Sequence, residues 1–578
     1  MKRSLLYLFL VFGLFSAVAC KKNDSPKPDP DPDPVDTLMI KSFVFSGLNP
    51  AVAATINQQS KTITAAIPRS ANIKSLLVTV SYTDGATLNP PSGFSYDFSN
   101  PLEFSLRKGV EVVRYTATVS YQASNQNQLL AVRFPDLFRS GQISGNNVSL
   151  EVPFGTNLNE VVVQLDVSPF ATVQPASGST VNLSQPLNVV VTAEDGTTRQ
   201  YTINTTVLPQ ETGIRGFWIP DPTHTPFLTS LPNIQAGVAM AKELNFNALY
   251  VCAWAKTQTL YPSATLAANS TYATPRDGMF TPNYSGLTND PLADLITVAH
   301  AEGLKVILWF EYGFMARWGS APTPQNDRIL AVRPHWLGIN NAGQACNYNN
   351  TDYYYNGYNP EVQQFMLDLI MEAVNNYDID GVQGDDRLPA MPRNAGYDEY
   401  TVNRYKAEHN GANPPSDPNA WSWVRWRANI LNAFAGTLYQ TVKAAKPHVL
   451  VASSPNPYPW AFENLMQEWP VWLSQNNVQA MMVQCYRYTI QAYRSTVDEM
   501  LNHFMANSDG NKQRLAPGLI LYGSAGLTDP DLIAEQIKYN RQVGIPGESF
   551  FYNTPLGDAR IQKVIKAMYP APAIFPNF

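Results

Sequence analysis

The chain has 578 residues, of which 44% are hydrophobic and 15% charged; a single small domain and a disordered chain are both excluded, and two to four domains are expected. The formal net charge of −6 supplies no basic surface to meet phosphates, so no nucleic-acid partner is expected. Four cysteines in a chain of this length do not make a disulfide framework. All eleven tryptophans fall between Trp218 and Trp472, which divides the chain into two differently built parts.

Residues 1–20, MKRSLLYLFLVFGLFSAVAC, begin with Lys2 and Arg3, continue through an apolar run from Leu5 to Phe15, and reach Ala17-Val18-Ala19 before Cys20. This is the layout of a secretory signal, and the apolar run is shorter than the roughly 20 residues of a membrane span. Small residues directly before a cysteine resemble the lipobox of bacterial lipoproteins, with Ala17 where leucine is more usual. The resemblance implies lipidation at Cys20, and hence a membrane partner through a lipid anchor. Residues 21–38, with their alternating Asp and Pro, disfavour helix and sheet and read as an extended spacer. The expected location is the cell envelope, at the outer membrane.

An internal repeat follows, at 39–122 and 126–207. Pro68 matches Pro153, Ser92-Gly93 matches Ser177-Gly178, and Pro101-Leu102 matches Pro186-Leu187, while Tyr115-Thr116 and Tyr201-Thr202 close the two copies. Short β-branched runs such as SLLVTVSY and NEVVVQLDV, separated by turn residues, predict two all-β sandwiches. The pair resembles the immunoglobulin-like modules that stand behind lipid anchors in bacterial surface proteins, and is expected to act as a stalk.

From Ile214 the pattern changes to strands alternating with helices. Eight strands are predicted, at 214–220, 246–255, 304–313, 379–386, 448–455, 478–488, 515–523 and 548–556. Eight βα units over 212–570 predict a (β/α)8 TIM barrel with enlarged loops. A doubly wound sheet is the alternative, but no Gly-rich phosphate turn follows the first strand.

In such barrels the site forms at the carboxyl ends of the strands. The third strand ends in Trp309-Phe310-Glu311-Tyr312 and the fourth in Gln383-Gly384-Asp385-Asp386-Arg387. Glycosidic cleavage uses two carboxyl groups, one protonated to donate to the leaving oxygen and one ionised to attack or to activate water. Strand alternation turns Gln383 and Asp385 the same way. Asp385 is therefore the first candidate for the reacting carboxylate, Glu311 for its partner, and Asp386 for positioning sugar hydroxyls. Candidate substrate contacts are Tyr312, Gln383, Arg387, Asn456, Trp460, Gln484, Tyr486 and Glu548, although Glu548 opens its strand rather than ending it; His224 in the first loop is a further one. Aromatic residues crowding the loops, from Tyr312 and Trp318 through Trp336, Tyr353 to Tyr355, Trp421, Trp423, Trp426, Tyr458, Trp469 and Trp472, suggest a saccharide groove, because sugar C–H faces stack on such rings. The scheme requires no metal and no cofactor. Cys252 and Cys485 read as buried thiols and Cys346 as a loop residue.

The order of IRGFWI, FNALYVCAW followed by LYPS, DPLADLITVAHAEGLKVILWFEYG, NPEVQQFMLDLIMEAV, YDIDGVQGDDR and WRANI resembles the glycosyl-hydrolase-like family ten barrels of bacterial envelopes over roughly 212–560. The resemblance implies a TIM barrel acting on glycans, some members being thought to trim peptidoglycan, and places the family's Asp pair on Asp385 and Asp386. Arg387 and Glu311 depart from the aromatic and the Asn usual at those places. The reading is an envelope-anchored glycoside hydrolase that cleaves O-glycosidic bonds of a polysaccharide, with peptidoglycan-type glycan first. A non-catalytic surface glycan-binding lipoprotein is the alternative.

Overall fold

A computed structural model describes residues 37–578; the expected signal segment, Cys20 and the Asp/Pro run to residue 36 lie outside the described residues. The chain forms two compact units, one ending at Ser124 and the other running from Asn125 to Phe578. Among the described residues no helix is long and apolar enough to cross a membrane.

The first unit is all-β. Ile40–Phe45 and Leu76–Tyr82 centre a four-stranded sheet, and Thr62–Ile67, Glu111–Tyr121 and Leu102–Lys108 lie side by side in a five-stranded one. Leu76–Tyr82 alternates buried and exposed along its length, as a strand with one face on a core and one in water does. Phe43, Phe45, Phe98 and Phe104 pack edge-on in that core.

The second repeat is built alike inside the second unit. The amide of Val80 donates to Ser92 Oγ and that of Leu165 to Ser177 Oγ, each at 2.8 Å. Tyr115 and Tyr201 hydroxyls accept from the amides of Ile40 and Leu129. Gly93 and Gly178 both adopt left-handed backbone, φ 87° and 85°, which a side chain would disfavour. The matched residues are thus the ones that hold corresponding turns and strand starts. This repeat meets the βα region through an ion pair from Lys563 to Asp136 (3.0 Å) and a bond from Gln210 Nε2 to the Pro572 carbonyl (2.9 Å).

The rest of the second unit is a curled, parallel, eight-stranded sheet. Its strands are β1 (Arg215–Ile219), β2 (Ala248–Cys252), β3 (Lys305–Phe310), β4 (Gly381–Asp385), β5 (Leu450–Ser454), β6 (Ala480–Met481), β7 (Gly518–Ile520) and β8 (Glu548–Phe551). They lie in the order β6-β5-β4-β3-β2-β1-β8-β7. A parallel bridge pairs Met481 with Leu515, and the Gly518 amide donates to the Val483 carbonyl (2.8 Å), so the two ends of that order meet. Helices follow the strands, among them α1 (Leu231–Glu243), α2 (Pro291–Ala301), α3 (Pro360–Asn376), α4 (Trp421–Ala445), α5 (Ile490–Asn507), α6 (Pro530–Gln542) and α7 (Ala559–Met568). Strands β1, β2, β4 and β5 are buried at every position, because helices cover one face and the interior the other. Asp290 and Asp529 cap α2 and α6 through their carboxylates, which satisfies amides the first turn leaves free.

Cys252, Cys346 and Cys485 are free and buried. Cys346, expected in a polar loop, packs beneath Gly338, where a Cβ would stand 2.6 Å from its sulfur.

Candidate active site

The interior of the sheet narrows upward onto an aromatic floor. Trp218 of β1, Trp309 of β3 and Phe551 of β8 pack edge to face at 6.2–6.5 Å, and Tyr486 lies over Phe551 at 5.3 Å. Gln383 is the polar group in that layer. Its Oε1 accepts from Trp218 Nε1 across the interior (2.8 Å), and its buried Nε2 has no partner.

One step above stand the acids. Trp309 pairs in register with Gln383 and Phe310 with Gly384, so the next residues, Glu311 and Asp385, occupy neighbouring staves about 5 Å apart. Gly313 lets the two loops close on each other. Its φ is 46°, and a Cβ there would lie 2.4 Å from the Arg387 carbonyl, to which the Phe314 amide donates (3.1 Å).

Asp385 is 1% exposed. Its Oδ1 accepts from the Arg387 amide (2.9 Å), and its Oδ2 from Trp309 Nε1 and Arg387 Nη1, both at 3.2 Å. Burial, then the neighbouring Asp386 charge, push this carboxyl well above the usual range against the pull of Arg387. Asp386 is the more open group, with 18% of its side chain exposed. Its Oδ1 lies 3.3 Å from Arg387 Nη1, and its Oδ2 accepts from Asn456 Nδ2 (3.0 Å). Arg387 thus bridges both aspartates, with Asp352 3.9 Å from its Nε and the Tyr312 ring 5.9 Å from its guanidinium carbon. Burial disfavours its charge, but Asp386 and Asp385 outweigh that and hold it firmly protonated.

Glu311 is partly exposed, and its Oε2 accepts from the Cys252 thiol (3.4 Å). Burial raises its carboxyl, Arg387 opposes the rise, and Asp221 adds to it. Asp221 is the buried acid beside the site that sequence reasoning missed. It follows β1 by two residues, so the strand-end criterion applied one residue further would have reached it. It is fully buried. Its Oδ1 accepts from the Thr223 amide (2.9 Å) and Oγ1 (2.5 Å), its Oδ2 from Lys256 Nζ (2.9 Å), and His224 Nδ1 stands 2.9 Å from the same oxygen. Burial pushes Asp221 up, yet Thr223 and Lys256 together bring it below its ordinary value. His224 therefore reaches the rim of the site through Asp221.

The other expected contacts divide. Asn456, Tyr486, Tyr312 and Arg387 stand with the acids, and Gln484 anchors by donating to the Ser454 carbonyl (2.9 Å). Trp460 opens a short helix, Trp460–Leu465, in the loop after β5, with its ring 5.4 Å from Tyr348. Glu548 is not brought to this end. It pairs in register with Arg215 at the opposite, amino end of the sheet, fully buried, with Arg541 Nη1 at 2.5 Å, Asn540 Nδ2 at 3.0 Å, and a bond from the Tyr569 hydroxyl. A substrate contact there is corrected: the carboxylate is used up in holding the sheet bottom. The loop aromatics divide as well. Trp336, Trp423, Trp469, Trp472, Tyr354 and Tyr355 are core residues under the long loops, whereas Trp318, Trp421 and Trp460 remain exposed.

Polar atoms without partners gather around the acids. Gln383 Nε2, Ser453 Oγ and Gln467 Oε1 are all buried without a hydrogen-bond partner in the chain, although the other Gln467 amide atom donates to the Asp385 carbonyl (2.7 Å). Buried polar groups are normally satisfied by protein or water, so these atoms have bonding capacity left for water or a ligand. Among the described residues no cluster of His, Cys, Asp and Glu has the makings of a metal site.

The eight parallel strands collect acids at their carboxyl ends, the end at which sites form in such α/β sheets. The family model described as glycosyl hydrolase-like 10 matches residues 213–522, more than half of the chain, and the protein belongs to that family. The model described as SGBP, N-terminal, matches 40–119 and 130–205, one segment in each repeat. Glycosyl hydrolase YngK of Bacillus subtilis (strain 168) is 23% identical over 377 residues, covering 58% of this chain and 66% of that protein. Among solved structures, the glycoside hydrolase domain of PgaB (BpsB) from Bordetella bronchiseptica is 14% identical, with a TM-score of 0.45 over 62% of this chain and 99% of that one. An α-L-fucosidase isoenzyme 2 from Paenibacillus thiaminolyticus is 14% identical, with a TM-score of 0.42 over 62% and 49%.

Proposed function

We propose that the protein is a glycoside hydrolase that cleaves O-glycosidic bonds of a polysaccharide by carboxyl chemistry, in a closed (β/α)8 barrel carried on two immunoglobulin-like stalk modules. The observation that carries this reading is the register of β3 on β4, which sets Glu311 beside the Asp385-Asp386 pair at the carboxyl end of the sheet. Glu311, raised by burial, holds the proton to be delivered to the leaving oxygen. Asp386 is the reachable carboxylate, steadied by Asn456 and Arg387, and attacks the anomeric carbon or activates water. Asp385, whose oxygens are all engaged, positions Arg387; the reacting role first given to it passes to Asp386. Tyr486, partly exposed over the buried layer of Trp218, Trp309 and Gln383, is the ring on which a sugar rests.

Peptidoglycan-type glycan is the first substrate to try. The signal-like segment of residues 1–20, with Cys20 as lipid acceptor, supports an envelope location with a lipid tether to the outer membrane.

A second reading, glycan binding without turnover, is favoured by one observation: Arg387 pairs with both aspartates at once. Product analysis on a panel of purified glycans separates the two. Release of new reducing ends supports the hydrolase, and saturable binding without release supports the binder.

A further inference from the structure

A second feature of the same rim concerns what the glycan carries. Beside Glu311, the loops after β2 and β3 enclose a cavity of about 280 Å³ lined by Lys256, Tyr312, Arg317, Trp318 and Asp327 among others, large enough for one sugar ring. Arg317 and Trp318 sit on a short antiparallel ribbon, Met315–Trp318 against Asp352–Tyr354. Asp352 on that ribbon faces Arg387, so the cavity and the acids share a wall.

The charges in this cavity do not cancel. Lys256 is committed to Asp221, with further bonds to Thr223 Oγ1 (2.8 Å) and His224 Nδ1 (3.3 Å). Asp327 turns away. Its Oδ1 caps the amides of Ile329 (2.9 Å) and Leu330 (2.8 Å), its Oδ2 accepts from the Tyr355 hydroxyl (2.8 Å), and burial raises its carboxyl. Arg317 is pinned by neutral groups instead, Nε to Ser320 Oγ (3.1 Å) and Nη1 to the Asn326 carbonyl (2.9 Å). Among the described residues no carboxylate lies within ion-pair distance of Arg317. A held guanidinium that Asp327 meets only through space and not as an ion pair, next to an indole 65% exposed and a tyrosine ring, offers a fixed fork for a carboxylate and flat faces for the ring that bears it.

We propose that this cavity is a subsite for a sugar bearing a carboxylate, with the acid on Arg317 and the ring against Trp318 and Tyr312. The proposal rests on the glycan reading above and narrows it to acidic glycans. Such a carboxylate has two chemical sources, a uronate or the lactyl ether of an N-acetylmuramate from which the peptide has been removed.

The test is binding, which does not depend on turnover. The full chain is titrated with oligogalacturonides and with peptide-free peptidoglycan strands, and each is compared with the same oligosaccharide after its carboxyls are reduced to alcohols. At least one acidic form is expected to bind about tenfold or more tightly than its reduced form, and the one that does so identifies the source. Arg317→Gln is expected to abolish that preference while leaving binding of the reduced form unchanged. Equal binding of acidic and reduced forms, or no binding of either, overturns the subsite, and the wild-type comparison decides this even if the variant fails to fold. Failure of hydrolysis with the preference intact counts against the hydrolase reading alone.

Discussion

The same sheet buries charge at both ends, and the two ends are built to opposite purposes. At the amino end, Glu548 is fully buried and receives four donor contacts, two from Arg541 and one each from Asn540 and Tyr569. Glu211 joins the cluster by pairing with both Arg541 and Arg215, and Arg215 lies over the Tyr569 ring at 4.1 Å. At the carboxyl end, Asp386 is partly open, Glu311 is held by a thiol, and amide and hydroxyl atoms beside them have no partner. A densely paired network of this kind clamps one structure, whereas a partly open one can take a ligand. Neither burial of acids nor an unpaired buried atom alone marks the site, since Arg215 Nε at the amino end also lacks a hydrogen-bond partner; the two ends differ in that Asp386 and Glu311 are partly exposed and Glu548 is fully buried.

That contrast can be broken by substitution. The largest effect is expected for Asp386→Asn, which should lower kcat by about 10³- to 10⁴-fold while the thermal midpoint and glycan affinity stay close to wild type; steady-state kinetics alongside a melting curve check it. Arg541→Met should do the reverse. Leaving Glu548 buried and unpaired should cost about 3–5 kcal/mol of stability in a denaturant titration, with turnover per folded molecule unchanged.

A pH profile sharpens the comparison. Burial raises Glu311, so its protonated form persists above the ordinary glutamate value of about 4.3, and kcat/KM should fall as pH rises through the raised value. Glu311→Gln should remove that alkaline limb and cost about 10²-fold in rate on substrates with poor leaving groups. The smallest effect belongs to Glu211. Burial alone would raise it, but Arg541 and Arg215 bring it below its usual value. Its ionised form thus stabilises the fold at pH above about 4.3, and that contribution should be lost as pH falls through the lowered value. Arg541→Met should flatten this part of a stability–pH curve.

Much of the scaffold was legible in the sequence. Most of the eight strands were visible because they are largely buried and rich in apolar residues between helical stretches, and Glu311, Asp385 and Asp386 were visible because they stand at strand ends. What stayed hidden depends on groups brought from far along the chain. Alternation turns Asp385 inward, but only Trp309 and Arg387 from the folded site show that it is sealed and that Asp386 is the open acid. Nothing in the spacing of the loop aromatics reveals that Trp423, Trp469 and Trp472 pack under the loops rather than line a groove. Glu548 was misjudged for a related reason: the partners that claim it, Arg541 and Tyr569, lie on and after neighbouring helices.

The account stands on Glu311 and Asp386 sharing one glycosidic linkage. Reducing-end release from purified peptidoglycan strands and uronate polymers, measured for wild type, Glu311→Gln and Asp386→Asn side by side, addresses this most directly. Release by the wild type and its loss in both folded variants is the predicted result. Undiminished release by either variant, or none by the wild type from any glycan it binds, would contradict it.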